Sequence, residues 1–255
     1  MITAGIDIGS ISTKTVLLAD GEILASRVIF TGYNAEAAGK TALAEALAQT
    51  NLEAGAVERI VATGYGRKSV SFAARSVTEI ACHASGAYFQ NPAVRSVIDI
   101  GGQDSKAIVL AEGGRVENFV MNDKCAAGTG RFLEVMARAL EADLSAFGDL
   151  SARARNPARI SSLCTVFAES EVISAIAKGE AREDIVAGIH EAIAARIASM
   201  AQRIGVRAPL MMTGGVARNP GVVLAVGKAL GLPILTTPHA QINGALGAAI
   251  LARSA

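Results

Sequence analysis

The stretch GIDIGSISTKTVLL, residues 5–18, returns as VIDIGGQDSKAIVL at residues 97–110. Each copy holds an Asp-Ile-Gly followed by a lysine, Asp7 with Lys14 and Asp99 with Lys106, so both residues recur 92 positions later (99 − 7 and 106 − 14). β-Branched and aliphatic residues flanking a glycine turn predict a strand, a tight turn and a returning strand in each copy. Two such hairpins facing each other form a cleft whose backbone N–H groups cradle a polyphosphate. Each also offers one carboxylate to a metal ion and its waters. The expectation is an ATP site built by a duplicated α/β fold.

The 255 residues suffice for two modest α/β domains or one large one. With 24 basic and 23 acidic residues, charge points to neither a nucleic-acid nor a membrane-surface partner. No segment has the charge-free apolar length of a membrane span, and Met1-Ile2-Thr3 runs straight into a strand, leaving no room for a signal peptide. A cytoplasmic address follows. Three cysteines are too few, and odd in number, for a disulfide framework there.

Periodicity predicts strands at about 2–8, 14–19, 23–29 and 58–63, with helices at 36–49 and 77–88. Strands recur at 94–100, 106–111 and 115–121, followed by helices at 131–140, 166–178 and 183–204. Strands at 208–213 and 232–236 precede a closing small-residue helix at about 242–255. The repeat sets a domain boundary near residue 94 (1–94 and 95–255), with the closing helix expected to pack back on the first domain.

Other phosphate motifs fail. A Walker loop at Gly221 to Gly227-Lys228 has five residues between its glycines, and Ala229 stands where Ser or Thr should ligate Mg²⁺. No GxGxxG follows a strand. One Asp-x-Gly hairpin alone reads as an ordinary turn. Two copies, plus Met212-Thr213-Gly214-Gly215-Val216 after a buried strand, favour a nucleotide, because Gly214 and Gly215 remove side chains where a flat base or ribose would approach the backbone. At these residues the chain resembles the actin, hexokinase and heat-shock-ATPase superfamily. That resemblance implies two ribonuclease-H-like domains closing on Mg·ATP, with the hairpins on the phosphates and Gly214-Gly215 on the adenosine. It leaves the substrate open.

Two further segments, MNDKCAAGTGRFLE at 121–134 and CTVFAESE at 164–171, place Cys125 and Cys164 just before the first turn of a predicted helix. Free N–H groups and the positive dipole end there lower a thiol pKa and suit an anionic cluster. Two thiolates cannot hold a four-iron cubane, whereas a symmetric dimer supplies four. The plainer alternative is a pair of inert helix-start cysteines.

NDKCAAGTGRFLE, CTVFAESEVIS, IDIGGQDSK and ATGYGR together resemble the activator component (archerase) of 2-hydroxyacyl-CoA dehydratases, within the ATPase family that includes the ATP-hydrolysing subunits of benzoyl-CoA reductase. The resemblance implies a homodimer with one bridging [4Fe-4S] cluster on Cys125 and Cys164 of each subunit. ATP binding and hydrolysis would drive a single low-potential electron from a ferredoxin or flavodoxin to an iron–sulfur dehydratase or reductase. Cys125 lies a few residues before Gly128-Thr129-Gly130, expected to contact phosphate, so nucleotide and cluster would share one rigid switch element.

The implied roles follow. Asp7 and Asp99 organise Mg²⁺ through its waters, and Asp99 or Gln103 positions the attacking water; turn stabilisation is the plainer role for an Asp before Gly. Lys14, and secondarily Lys106, neutralise phosphate. Gly9, Ser10, Thr13, Gly101, Gly102, Gln103 and Asp104 line the phosphate turns. Glu134 reaches a ribose hydroxyl or is an exposed helix glutamate. Val216, Asn219 and Gln241 lie near the adenosine. Glu169 and Glu171 tune the cluster or the water, or form a solvated helix face. Cys82-His83 does not read as a metal site, since adjacent helix residues diverge and no second ligand pair has zinc spacing. His190 and His239 receive no role. Two other classes compete: a sugar-type kinase, indifferent to loss of Cys125 and Cys164, and an iron-free chaperone-like switch. The intact GGQDSK and NDKCAAGTG patterns favour a free-standing activator over a reductase subunit or a reductase of a double-cubane protein.

Overall fold

The computed structural model describes residues 1–161 and 164–254. Ala255, the end of the expected closing helix, lies outside them. The first half runs β1 (Ile2–Ile8), β2 (Ser12–Ala19), β3 (Glu22–Phe30), α1 (Ala35–Leu47), β4 (Arg59–Thr63), β5 (Arg75–Ser76) and α2 (Glu79–Gln90). The second half begins with β6 (Ser96–Ile100), β7 (Ser105–Leu110), β8 (Val116–Asn122), α3 (Gly130–Ala139), α4 (Phe147–Ala152) and α5 (Thr165–Ala177). It ends with α6 (Arg182–Gln202), β9 (Leu210–Thr213), α7 (Pro220–Leu230), β10 (Ile234–Leu235) and α8 (Asn243–Ala252).

The duplication extends to topology. The sheets are ordered β3-β2-β1-β4-β5 and β8-β7-β6-β9-β10. In each, the hairpin pairs are antiparallel and the later strands join parallel. Even the turn is repeated: Gly9 donates to the Ser12 carbonyl at 3.1 Å, and Gly101 to the Asp104 carbonyl at 3.0 Å. This is the ribonuclease-H-like architecture of the actin and hexokinase superfamily.

Helix α8 packs on β1, β2 and β4, burying Ala245, Leu246 and Ala249 against Val16 and Leu18. Helix α2 lies between α8 and the second sheet, touching the latter through Ala84 and Ala87. The layers approach closely because glycine lines the contacts. A Cβ on Gly5 would sit 1.9 Å from the Ala245 carbonyl oxygen, and one on Gly247 1.8 Å from that of Cys82. On the other face of the second sheet, α6 buries Ile185, Ile189, Ile193 and Ile197 in the largest core cluster. At about 1.5–3 kcal/mol per buried aliphatic side chain, packing rather than propensity anchors this helix.

Three elements were absent from the sequence reading. Strand β5 has two exposed residues and α4 only six. Helix α7 occupies the stretch tested as a Walker loop: Asn219 caps it, Pro220 starts it and Gly231 ends it at φ 66°.

Candidate active site

Asp7 and Asp99 stand near the ends of the central strands β1 and β6, each between an equivalent pair of neighbours. Asp7 is registered with Lys14 on one side and Thr63 on the other; Asp99 with Lys106 and Thr213. Both carboxylates face a cleft of about 740 Å³ between the two hairpins. The glycines after the threonines repeat the pattern. Gly64 (φ 91°) and Gly214 (φ 88°) would each drive a Cβ against the preceding hairpin, Gly64 within 2.6 Å of Asp7 Oδ1 and Gly214 within 2.9 Å of Asp99 Oδ1. Gly64 is thus a counterpart of Gly214 that the sequence reading left unpaired, although ATGYG and MTGGV both carried the Thr-Gly signal.

The two lysines differ. Lys14 Nζ lies 3.3 Å from Asp7 Oδ2 at the cleft wall. Lys106, only 2 % exposed, contacts Asp99 (3.2 Å), Asp104 (2.8 Å) and Glu79 (2.8 Å). Burial works against its charge, but these three carboxylates overcome that and hold its pKa above the usual lysine value. The phosphate role expected of Lys106 therefore gives way to a structural one: its ammonium is committed to three carboxylates. Burial likewise opposes the charge on Asp99, yet His83, Lys106 and the Thr213 hydroxyl bring its pKa down to about 2. Glu79 is raised by burial despite Lys106. Asp7, Asp99, Asp104 and Glu79 outnumber Lys14 and Lys106, so the floor of the cleft carries net negative charge.

Glu79 and His83 were missed as cleft residues. Both line it from α2, one helical turn apart. The i, i+4 spacing was visible in the sequence; that the face turns into the cleft depends on tertiary packing.

Of the expected phosphate residues, Gly9, Ser10, Gly101, Gly102, Gln103 and Asp104 line the cleft, with Gln103 exposed at the turn. Thr13 does not: it is fully buried and its hydroxyl pairs with that of Thr31 at 3.0 Å, while Thr31 donates to the Gly9 carbonyl at 2.8 Å. It braces the first turn from behind. The 128–130 turn also departs from expectation. Gly130 donates to the Gly101 carbonyl (2.9 Å) and Arg131 to that of Gly102 (2.8 Å), so these N–H groups are taken by the second hairpin rather than left for phosphate. Thr129 is buried, donating to the Ala126 carbonyl, and a Cβ on Gly128 would meet Arg196 at 3.0 Å. Of the three, Gly130 alone borders the cleft.

At the other end, Gly214, Gly215, Val216, Asn219, Gln241 and Glu134 all line the cleft, joined by Leu133 and Arg218. Gly215 faces open space, its built Cβ nearest Gln241 at 3.9 Å. Arg218 donates to Gln241 Oε1 at 3.1 Å, and Glu134 pairs with Arg131 at 3.1 Å. Asn219 caps α7 through Oδ1, turning its amide nitrogen to His190 Nε2 at 3.3 Å.

Cys164 is the exposed N-cap of α5, as expected. Cys125 is half-buried, four residues before Thr129, the N-cap of α3, so the helix-start reading of it is corrected. Beyond Cys164, Val166 and Phe167 are 65 % and 66 % exposed. Glu171 accepts from Ser161 N and Oγ, closing the α5 loop rather than facing the cleft. Among the described residues no His, Cys, Asp and Glu group of three or more could hold a metal ion. Among the described residues no helix is long and apolar enough to cross a membrane.

The model of the BadF/BadG/BcrA/BcrD ATPase family matches residues 4–252. The activator of lactoyl-CoA dehydratase from Anaerotignum propionicum is 48 % identical, covering 100 % of this chain and 98 % of its own. Among solved structures, (R)-2-hydroxyglutaryl-CoA dehydratase component A from Acidaminococcus fermentans superposes with a TM-score of 0.96 at 47 % identity, covering 100 % of this chain and 98 % of that one. The activator of 2-hydroxyisocaproyl-CoA dehydratase from Clostridium difficile, solved with bound ADPNP, gives 0.95 at 46 % identity, covering 100 % and 95 %.

Proposed function

The chain belongs to the BadF/BadG/BcrA/BcrD ATPase family and is an ATP-hydrolysing activator; from that premise we propose that it donates single low-potential electrons to an iron–sulfur 2-hydroxyacyl-CoA dehydratase. It would work as a homodimer, reduced by a ferredoxin or flavodoxin, with a [4Fe-4S] cluster on Cys125 and Cys164 of both subunits. The two repeat halves, 1–94 and 95–255, would act as the nucleotide-closing domains.

When bound, the cluster supplies a one-electron centre, and Mg²⁺ offsets phosphate charge. Asp7 and Asp99, on opposite hairpins, would hold the cation through its waters, Lys14 would meet the phosphates, and Asp99 or Gln103 would orient the attacking water. Gly214 and Gly215 leave room for the nucleoside, flanked by Arg218, Gln241 and Glu134.

One observation carries the coupling. The segment after Cys125 is hydrogen-bonded to the second phosphate hairpin, through Gly130 to Gly101 and Arg131 to Gly102. A shift of that hairpin on nucleotide exchange would be transmitted to the Cys125 segment. The exposed Val166 and Phe167 beside Cys164 suit a second subunit.

The test is iron and sulfide content, with EPR of the dithionite-reduced protein, on material purified without oxygen. Four irons per dimer, lost in Cys125→Ser or Cys164→Ser, are expected. An iron-free protein that still hydrolyses ATP after anaerobic reconstitution would overturn the proposal.

A further inference from the structure

His83 on α2 has no part in the reactions assigned above. It is buried, yet its ring borders the cleft. Its Nδ1 lies 3.3 Å from Asp99 Oδ1, the oxygen that also accepts from Thr213 Oγ1 at 2.9 Å. On the other side of the ring, a Cβ built on Gly244 would stand 3.1 Å from His83 Nε2 and 3.1 Å from Asp7 Oδ2. The imidazole thus contacts the Asp99 carboxylate through Nδ1, and the backbone of Gly244 approaches both its Nε2 edge and Asp7.

A chain of two amides, the half-buried Gln90 and the buried Asn243, sets the pose of the ring. Gln90 donates from Nε2 to the Gly86 carbonyl (3.2 Å), which identifies its nitrogen, and the same nitrogen donates to Asn243 Oδ1 at 2.8 Å. Thr237 closes the far end on Gln90 Oε1 at 2.6 Å. Asn243 must then turn its nitrogen toward His83, where it donates to the main-chain carbonyl at 3.0 Å and lies 3.2 Å from Nδ1. Three groups surround Nδ1, the Asn243 amide at 3.2 Å, the Thr213 hydroxyl at 3.4 Å and Asp99 Oδ1 at 3.3 Å, and the carboxylate is the one charged acceptor among them for an Nδ1 proton.

Asp99 is therefore gripped on both oxygens, Oδ2 by Lys106 and Oδ1 by Thr213 and His83. Lys106 and Thr213 belong to the same sheet as Asp99. His83 belongs to α2, the layer between that sheet and α8 over the first sheet. We propose that His83 is a positioning residue for ATP hydrolysis, holding Asp99 in the rotamer that faces the nucleotide and linking that rotamer to the α2–α8 layer. This deepens the function proposed above and rests on its assignment of Asp99.

The test compares ATPase kcat, KM for Mg·ATP and thermal midpoint of the full chain, purified without oxygen, for wild type, His83→Ala, His83→Asn, His83→Gln and Asp99→Asn. Asn sets an amide nitrogen where Nδ1 lies, and Gln where Nε2 lies. His83→Ala is expected to lower kcat about tenfold or more with KM within about threefold, since a misplaced catalytic group costs turnover before binding. His83→Asn should restore most of that loss and His83→Gln little. A wild-type kcat in His83→Ala, or an Asn variant no better than Gln, would overturn the proposal; if the Ala variant does not fold, the Asn–Gln comparison decides. Asp99→Asn separates the two readings. A wild-type rate there removes the role of Asp99 itself, whereas a dead Asp99→Asn beside an unimpaired His83→Ala removes only that of His83.

Discussion

Replacing Lys106 with Met would leave three carboxylates around a buried methyl group. Asp99 (2 % exposed side chain), Glu79 (15 %) and Asp104 (28 %) would lose a cation now 2.8–3.2 Å away. Removing one partner of a buried ion pair costs about 3–5 kcal/mol, and Met keeps the volume, so the loss is electrostatic rather than a cavity. Its pH dependence identifies it. In the wild type, Asp99 moves from 3.8 unfolded to about 2 folded. It contributes about 2–3 kcal/mol that is fully present above pH 3.8 and lost only as pH falls through 2. In Lys106→Met the folded pKa of Asp99 rises above its unfolded value, and that of Glu79, already raised by burial, rises further. The folded state then holds more protons than the unfolded, and acidification stabilises the variant. Urea unfolding should show a deficit of about 3–5 kcal/mol at pH 7.5, smaller by about 1 kcal/mol or more at pH 5. A deficit below about 1 kcal/mol, or one that does not shrink on acidification, would refute the account of Lys106 as the counterion of the floor.

Two further outcomes are expected. Gly64→Ala should weaken Mg·ADP binding in calorimetry about tenfold or more, because the new Cβ strikes the Ile8 carbonyl and Asp7; Gly21→Ala, at a similar φ of 88° with nothing within 4 Å, should cost about 1–2 kcal/mol of stability and leave affinity unchanged. Burial holds His190 down at about 4 against its usual 6.5. Its contribution, about 3 kcal/mol, is therefore present above pH 6.5 and lost as pH falls through 4, and His190→Gln should show a flatter decline in urea midpoint over that window than the wild type.

The duplicated Asp-Ile-Gly motif made the cleft legible because its chemistry is local: a strand, a turn and a carboxylate lie within fourteen residues. The strands of both hairpins and most long helices were likewise readable from period. What failed depended on distance in the chain. His83 meets Asp99 from another element and is held by Asn243, 160 residues away. The 128–130 turn was assigned to phosphate because nothing local marks the Gly101 carbonyl as the acceptor of the Gly130 N–H. Thr13 reads as a turn residue, yet the alternation of β2 turns its hydroxyl to Thr31. Helix α7 was hidden by its glycines, although Asn219-Pro220 and Gly231 bracketed it.

The packing of α8 also constrains the order of assembly. Thr3 bonds the Ala249 carbonyl across 246 residues, and the face of β1 and β2 around Val16 and Leu18 is closed by that last helix. During synthesis the opening strands must wait, with one side uncovered, until the closing segment has been made. A chain halted before residue 243 would possess both aspartates and both lysines. It would lack the helix that seals the first sheet and the amide that steers His83, so the cleft is completed by a segment remote in sequence from the hairpin that begins it.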